Sequence, residues 1–187
     1  INHFTIGLGW DVVSREKRHN RSASLGGKKK IDLDAAAVVF RNNGKLLESI
    51  YFGAMNSTRK CGVGALRHMG DSTDGDETVG GDDELIHVDT SRFRPDVLAF
   101  FVCVCAFTDN TFFSDLSSSH CRVITDDTEQ SLAELRLKDL GPRTSITMIM
   151  VHRDEASPTG WTLKSISQPD SLARNWGYLI PTMKNVL

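Results

Sequence analysis

The stretch VLAFFVCVCAF, residues 97 to 107, is the longest nearly pure apolar run in this chain of 187 residues. It is too short to span a bilayer, because a transmembrane helix needs about 20 apolar residues. The middle of the run lacks any alternation of apolar and polar residues, which is typical of a strand that is covered on both faces. We therefore expect a buried strand here, in a fold with a layer on each side of it.

Eight further segments on either side of this run alternate with a period of two, which is the pattern of β-strands. Turn-rich segments such as RNNGK (41–45), DLSSS (115–119), LGPRT (140–144) and EASPTG (155–160) separate them. About nine short strands at such intervals predict two packed antiparallel sheets. The other predicted strands are residues 4 to 10, 33 to 40, 46 to 52, 84 to 89, 120 to 125, 132 to 139, 145 to 153 and 160 to 167.

The tail DSLARNWGYLIPTMKNVL, residues 170 to 187, is the one segment with a helical pattern, and Pro181 interrupts it. We expect it to fold back as a short helix or to dock on a neighbouring molecule. The length of the chain favours a single domain over residues 1 to 187. The predicted fold class is all-β: a two-sheet antiparallel β-sandwich with a short C-terminal helical tail.

Composition places the chain in the soluble globular class. It has 22 Lys and Arg against 24 Asp and Glu, a formal net charge of -2, and 40% hydrophobic residues. Neither end has the basic and then apolar pattern of a signal peptide, so we expect a cytoplasmic protein without a transmembrane segment. The chain begins at Ile1 rather than Met, which leaves open that an address signal preceded it.

The four cysteines, Cys61, Cys103, Cys105 and Cys121, lack the short paired spacings of a zinc ribbon. A chain of this length does not need disulfides for stability, so we expect reduced cysteines in the core. Cys103 and Cys105 are two positions apart in a predicted strand and therefore point to the same face. A thiolate metal site at this pair is the alternative.

Between the first two predicted strands lies SREKRHNRSASLGGKKK, residues 14 to 30, an insertion rich in Lys and Arg. One interpretation is a solvated loop, as charged Gly- and Ser-containing segments usually are. The other is a contact surface for an acidic protein partner or for the acidic loop of another copy. Few aromatic residues accompany the basic ones, so nucleic acid is an unfavoured partner.

The segment HMGDSTDGDETVGGDDE, residues 68 to 84, is an acidic loop rich in glycine. Two carboxylates about 4 Å apart repel by about 1 kcal/mol in water and by several times more at a lower dielectric. A packed cluster therefore needs a cation, and Ca²⁺ takes about 6 to 8 hard oxygen ligands, whereas Mg²⁺ keeps more water. The alternative is a solvated, disordered loop.

The spacing of these acids does not fit an EF-hand, which needs Gly at the sixth position of its loop and Glu at the twelfth. Counting from Asp74, the sixth residue is Val79, and counting from Asp71 it is Asp76. The flanking segments are predicted strands rather than helices. We therefore expect a calcium site of a different design, framed by β-strands.

A second acidic pair precedes the strand at 33 to 40. Asp32 and Asp34 alternate with Leu33, so both carboxylates leave the same face if the segment is a strand. Together with the acidic loop they form a plausible cage, although they could instead be edge charges that oppose aggregation. The predicted calcium ligands are Asp32, Asp34, Asp71, Asp74, Asp76, Asp82, Asp83 and Glu84, with Asp11 a weaker candidate.

Four other side chains have predicted structural roles. We expect His68 to orient a carboxylate rather than to bind a metal itself, because the surrounding donors are nearly all oxygens. His87 alternates between Ile86 and Val88 and is predicted to point outwards. Trp10 and Trp161 are predicted to fill the core of the sandwich or its mouth.

Six segments of the chain, in this order, carry a resemblance to a known family: GLGWDV (7–12), IDLDAAAVVF (31–40), the loop and strand at 68 to 89, RVITDDTEQSLAELRLKDL (122–140), TMIMVHR (147–153) and GWTLKSIS (160–167). Together they resemble the TerD family of tellurium-resistance and stress-response domains. The resemblance implies a β-sandwich that binds Ca²⁺ through its acidic loop, without an established catalytic activity, and that is linked to resistance against tellurite, other chemical stress and phage.

The sequence departs from the family pattern in the acidic loop. Ser72 stands where the family usually has Asn, Asp74 where it has Thr, and residues 76 to 79 lengthen the loop. The basic insertion at 14 to 30 also exceeds the usual short connection. These differences leave the number of bound ions open and indicate a specialised relative.

Two other functional classes compete with a calcium-binding domain. Clustered carboxylates can hold two metal ions and activate water, as in a metal-dependent phosphoesterase. However, the sequence has neither a G-x-S-x-G elbow nor a Walker motif. The third possibility is an accessory subunit of a larger assembly, which uses the basic loop or the tail as its contact surface. We expect a non-enzymatic calcium-binding domain.

Overall fold

The structure is a computed structural model that describes residues 2–12, 30–75 and 81–187. Its strands are β1 (His3–Val12), β2 (Leu33–Arg41), β3 (Leu46–Ile50), β4 (Leu66–His68), β5 (Glu84–Asp89), β6 (Val97–Ala106), β7 (Leu116–Thr125), β8 (Ser131–Leu135), β9 (Ser145–Arg153) and β10 (Trp161–Asp170). They form two antiparallel five-stranded sheets, ordered β4-β5-β1-β7-β8 and β10-β9-β6-β2-β3. We call these the first and second sheet. The predicted all-β sandwich is confirmed.

The main core lies between the two sheets, and alternation along each strand supplies it. In β1, Phe4, Ile6, Leu8 and Trp10 all point inwards and are at most 2% exposed, while the residues between them face away. In β2, every second residue from Leu33 onwards joins the same core. This period of two is what orients the polar residues of both strands away from the core.

The apolar run that suggested a doubly covered strand forms β6, at the centre of the second sheet. Phe100 and Val102 pack in the main core, whereas Phe101 and Cys103 pack in a second cluster on the opposite face. The C-terminal tail covers that second face. The prediction of a strand covered on both sides is therefore confirmed.

The tail folds back as predicted, but its proline does not interrupt the helix. Residues Trp176–Leu179 form a 3₁₀ turn that continues into helix α1 (Ile180–Lys184). Pro181 lies in the first turn of α1, where the missing N–H has no helical partner to lose. Leu179 and Met183 are buried against the second sheet.

Three local predictions were wrong. The short strand β4 was missed, and residues 116 to 119 belong to β7, although DLSSS was assigned to a turn. The strand predicted at 132 to 139 ends at Leu135, and a 3₁₀ helix occupies Leu137–Leu140. In β7, Ser119 and Ser118 pair with Trp10 and Asp11 of β1, so the neighbouring strand imposes the extended conformation.

All four cysteines are buried and free, as predicted. Cys103 and Cys105 share the outer face of the second sheet. A hydrogen bond with Cys103 and burial raise the pKa of the Cys105 thiol, so Cys105 is not a ready source of a thiolate ligand. Within the described part of the chain, no helix is both long and apolar enough to cross a membrane.

Candidate metal centre

The start of β2 positions two of the predicted ligands. Ile31 and Leu33 are fully buried in the main core, so the alternating Asp32 and Asp34 leave the opposite face of the second sheet. The loop after β4 brings Asp71 to the same place. Asp32, Asp34 and Asp71 each offer a carboxylate oxygen, and these three oxygens lie within 4.8 Å of one another.

The surroundings of this cluster oppose ionisation of Asp32 and Asp34. Burial, followed by the charges of Asp32, Glu84 and Asp71, raises the pKa of Asp34 to about 8. Burial and the charge of Asp71 likewise raise the pKa of Asp32 to about 6. With a pKa of about 8, Asp34 is mostly protonated at neutral pH, and a cation bound among the three carboxylates would favour its ionised form.

Two oxygens in the cluster lack a protein partner. Oδ1 of Asp32 and Oδ1 of Asp34 are enclosed, and neither accepts a hydrogen bond from the described residues. An enclosed carboxylate oxygen without a donor is costly, and a bound cation is one way to satisfy it. The donor set consists of hard carboxylate oxygens, which suits Ca²⁺ or Mg²⁺ better than a soft metal. The residues therefore fit a hard divalent cation.

Glu84 links the two sheets beside this cluster. It is the first residue of β5 in the first sheet, and its side chain is buried. Its Oε2 accepts a 2.9 Å hydrogen bond from the Ala35 N–H of the second sheet, and its Oε1 accepts a 3.4 Å bond from the Ser72 N–H. Glu84 thus fixes the start of β2 and the acidic loop relative to each other.

His68 lies against Glu84, which agrees with its predicted role beside a carboxylate. Its Nε2 is 3.5 Å from Glu84 Oε2, at ion-pair distance, although the geometry does not make a hydrogen bond. His87 alternates with buried neighbours in β5 and faces outwards, as predicted, where its Nδ1 contacts the Thr5 hydroxyl at 2.8 Å. Trp10 and Trp161 are core residues, as predicted.

Asp82 occupies a different position from the predicted one. It lies over the outer face of the first sheet, where Arg122 donates a bond of 2.9 Å from Nη2 and His120 Nε2 lies 2.8 Å from Oδ1. Burial raises the pKa of Asp82, but these hydrogen bonds and the nearby positive charge outweigh burial and lower it. Two basic side chains therefore satisfy Asp82, and it does not join the three-carboxylate cluster.

The other predicted ligands have contacts of their own or lie outside the described residues, and Asp74 is near enough for its charge to raise the pKa of Asp32. Asp83 Oδ2 accepts the Trp10 N–H at 2.7 Å, and Asp74 Oδ2 lies 3.1 Å from the ammonium group of Lys30. Asp11 accepts a hydrogen bond from the Ser118 hydroxyl on the outer face of the first sheet. Asp76 lies outside the described residues, and so does the basic loop at 14 to 30 apart from Lys30.

Two glycines of β1 allow the acidic loop to approach, a role that sequence analysis missed. A Cβ atom on Gly9 would lie 2.1 Å from the Gly81 carbonyl oxygen, and one on Gly7 would lie 2.4 Å from Asp82 Cγ. Both distances are too short for any side chain. The signal for this contact was present in the spacing of the GLGW segment, which places both glycines on one face of the strand.

Comparisons with known proteins identify the relatives of this chain. The family model described as "TerD domain" matches residues 1–171. The chain is 36% identical over 161 residues to the tellurium resistance protein TerZ of Serratia marcescens, covering 84% of this chain and 76% of the relative. It is 30% identical over 178 residues to the stress response protein SCP2 of Bacillus subtilis (strain 168), covering 90% and 83% of the two chains.

Solved structures share the fold at lower sequence identity. A protein of unknown function, SAV2460, has a TM-score of 0.75 and 19% identity, with 98% of this chain and 97% of that chain covered. A homologue of the telluride resistance protein TerD, SCO6318 from Streptomyces coelicolor A3(2), has a TM-score of 0.72 and 15% identity, with 98% of each chain covered. Together with the match over residues 1–171, these likenesses show that the chain belongs to the TerD domain family.

Proposed function

We propose that this chain is a non-enzymatic calcium-binding domain that acts in a stress or tellurium-resistance response. The observation that supports it best is the convergence of Asp32, Asp34 and Asp71, two of which have an enclosed oxygen without a hydrogen-bond partner among the described residues. The names of the relatives, a tellurium resistance protein and a stress response protein, support the biological setting.

In this proposal Asp32, Asp34 and Asp71 hold the ion, and Glu84 keeps β2 and the acidic loop in place around it. Calcium would supply the positive charge that three neighbouring carboxylates lack, and it would accept further oxygens from main-chain carbonyls or water. Its chemical role is to make the fully ionised cluster stable. Asp82 is not part of the proposed ligand set, because Arg122 forms an ion pair with it at 2.9 Å and His120 Nε2 lies 2.8 Å from its Oδ1.

Calorimetric titration of chelator-treated protein with Ca²⁺ and with Mg²⁺ tests the proposal. We expect Ca²⁺ to bind more tightly, because Mg²⁺ holds its water more firmly and uses fewer protein ligands. Asp32→Asn and Asp71→Asn should each weaken the affinity for Ca²⁺ by about tenfold or more, the loss of about 1.4 kcal/mol of binding free energy. Asp139→Asn is the matched control, since Asp139 is an exposed carboxylate outside the cluster.

Two results would contradict the proposal. One is an absence of heat and of any change in thermal stability on addition of millimolar Ca²⁺ to folded protein. The other is an equal loss of affinity in Asp139→Asn and Asp71→Asn, since a general decrease in negative charge would then explain both. Circular dichroism of each variant verifies that the sheets are intact before the titration.

A protein partner is the second part of the proposal, and the tail is the described surface that suits it. Leu172 is 89% exposed and Tyr178 is 71% exposed, both beside the segment that covers the second sheet. We expect a partner to bind this tail in a calcium-dependent manner. Size analysis of the complex with calcium and with chelator tests it, and a complex that forms equally in both would support an accessory structural subunit instead.

A further inference from the structure

A small cavity opens on the outer face of the second sheet, next to the proposed metal centre but with different walls. Its volume is about 150 Å³. Four aromatic side chains from three separate parts of the chain surround it: Tyr51 and Phe52 after β3, Phe107 after β6, and Trp176 from the tail. Asp34 contributes the acidic part of the wall.

The rings enclose this space and do not stack flat on one another. Tyr51 and Phe52 meet at 87° with centroids 5.4 Å apart, and Tyr51 and Trp176 meet at 50° and 5.6 Å. Phe52 and Phe107 meet at 72° and 6.5 Å. Phe52 and Phe107 remain 39% and 53% exposed, so the open side of the cavity is itself aromatic. Large apolar side chains left exposed in one place are typical of a binding surface.

The charge around the cavity selects the kind of ligand. None of the described residues that line it is basic, whereas Asp34 belongs to the acidic cluster with Asp32 and Asp71. The π faces of aromatic rings are also electrostatically negative. A hydrated metal ion is a poor occupant, because most of the wall offers no oxygen ligand. An uncharged apolar group would fill the space but would gain nothing from the negative faces of the rings or from the cluster of three carboxylates beside them.

We infer that this cavity binds the quaternary ammonium head group of a small organic cation. Such a cation is large, weakly hydrated and positively charged over its methyl groups, so it can contact aromatic faces and a carboxylate at once. Trp176 and Tyr51 form two of the walls, and the carboxylate cluster of Asp32, Asp34 and Asp71 lies beside them. The assignment applies to the calcium-free protein, because Asp34 lies in the wall of this cavity and also in the ligand set of the proposed metal centre.

A pair of isosteric ligands tests this inference. Choline is titrated into the full chain and compared with its neutral isostere, in which a tert-butyl group replaces the trimethylammonium group. Binding is followed by calorimetry and by the fluorescence of tryptophan, both in chelator and in saturating calcium. We expect choline to bind about tenfold more tightly than the isostere in chelator, and we expect this preference to shrink in saturating calcium, which would neutralise the neighbouring carboxylates.

Matched variants locate the binding. Trp176→Leu and Tyr51→Leu should each weaken choline binding by about tenfold, because each removes one aromatic wall. Tyr178→Leu is the control, since Tyr178 is an exposed aromatic residue of the same tail that does not line the cavity. Equal affinity for the two ligands in chelator, no binding of choline in chelator, or unchanged binding in both Trp176→Leu and Tyr51→Leu would overturn the inference. Thermal unfolding of each variant verifies its fold.

Discussion

At the scale of single residues, the surroundings of a carboxylate decide its chemistry. Asp34 and Asp82 are both partly buried aspartates near the acidic loop, yet their pKa values move in opposite directions. Burial and neighbouring acids raise the pKa of Asp34. At Asp82 burial also raises the pKa, but hydrogen bonds with His120 and Arg122 have the larger effect and lower it. Of these two residues, only Asp34 therefore needs a bound cation to stabilise its ionised form.

This difference predicts how the metal-free protein responds to pH. Because the folded-state pKa of Asp34 is about 8 and its ordinary value is 3.8, the folded state holds the proton more tightly over that range. Its contribution to stability is present below about pH 4 and is lost as the pH rises through about 8. Asn mimics the protonated side chain, so the melting temperature of Asp34→Asn relative to that of the wild type should increase from about pH 4 to pH 8 in chelator.

The pH prediction has a control in the oppositely shifted residue. In Asp82→Asn the melting temperature should lie below that of the wild type by a nearly constant amount over this range, because a lowered pKa stabilises the folded protein above the ordinary value of 3.8 and that contribution is lost only at lower pH. Melting curves from about pH 4 to pH 8 measure both. A difference between Asp34→Asn and the wild type that stays constant over this range would show that Asp34 is not held protonated in the folded state.

Glu84 carries a separate prediction about stability. Its buried carboxylate accepts the Ala35 N–H, so Glu84→Ala leaves that donor unsatisfied and opens space between the sheets. We expect a loss of about 1 to 3 kcal/mol in the free energy of unfolding relative to Glu84→Gln, whose side-chain oxygen can still accept this bond. Urea denaturation of both variants in chelator measures the difference, and equal stabilities would show that the bond contributes little.

At the scale of elements, β1 and the acidic loop fit together only because two residues lack a side chain. Gly9→Ala places a Cβ atom 2.1 Å from a main-chain oxygen, and main chain cannot move as a flexible side chain does. We expect a loss of about 1 to 3 kcal/mol of stability, typical of overpacking, and weaker calcium binding because the loop is displaced. Urea denaturation and calcium titration measure the two effects.

Gly44→Ala is the control for that substitution. Gly44 has a φ of +73°, and no atom lies within 4 Å of the place that a Cβ would occupy, so its cost comes from backbone conformation alone. It should lower stability without altering the affinity for calcium. If Gly9→Ala also leaves the affinity unchanged, the close approach of the loop to β1 does not position the ligands.

The strands themselves were largely predictable, because burial between two layers imposes a period of two on the sequence. The main exceptions are short or polar. β4 has only three residues, too few to show alternation, and the serines of β7 are extended because they pair with β1. Long-range pairing therefore overrode local preference for Ser118 and Ser119. Pro181 was misjudged for a related reason, since its effect depends on where the helix starts.

At the scale of the whole molecule, the second sheet is covered on both faces, and the tail completes it. Met183 is fully buried in the outer cluster with Leu179. Met183→Ala should therefore lower the free energy of unfolding by about 2 to 5 kcal/mol. Tyr178→Ala, at an exposed position of the same tail, should change it by about 0.5 kcal/mol or less. Denaturation curves measure the free energy of unfolding of both variants. If the two losses were similar, the buried Met183 would contribute no more than the exposed Tyr178, and the tail would not pack as a unit.

The candidate site was predictable only where it depends on local spacing. Asp32 and Asp34 share a face because of strand alternation, which a sequence displays directly. Asp82 could not be separated from them by sequence, because its partner Arg122 lies 40 positions away and reaches it only through the pairing of β1 with β7. The fold therefore divides a single acidic segment into a cluster without a counter-charge and an aspartate already held by basic groups.

This division gives the last prediction, which concerns the stability of the whole chain. An ion that binds only the folded state, present at about 100 times its Kd, stabilises that state by about 2.7 kcal/mol, which for a chain of this size raises the melting temperature by roughly 5 to 10 °C. We expect this rise in the wild type and in Asp82→Asn, even though Asp82→Asn lowers the starting temperature. The double variant Asp32→Asn, Asp34→Asn should show almost none. Differential scanning calorimetry with calcium and with chelator measures the melting temperatures of all three proteins. If the rise disappeared in Asp82→Asn but persisted in the double variant, the ion would bind on the outer face of the first sheet and not on the outer face of β2.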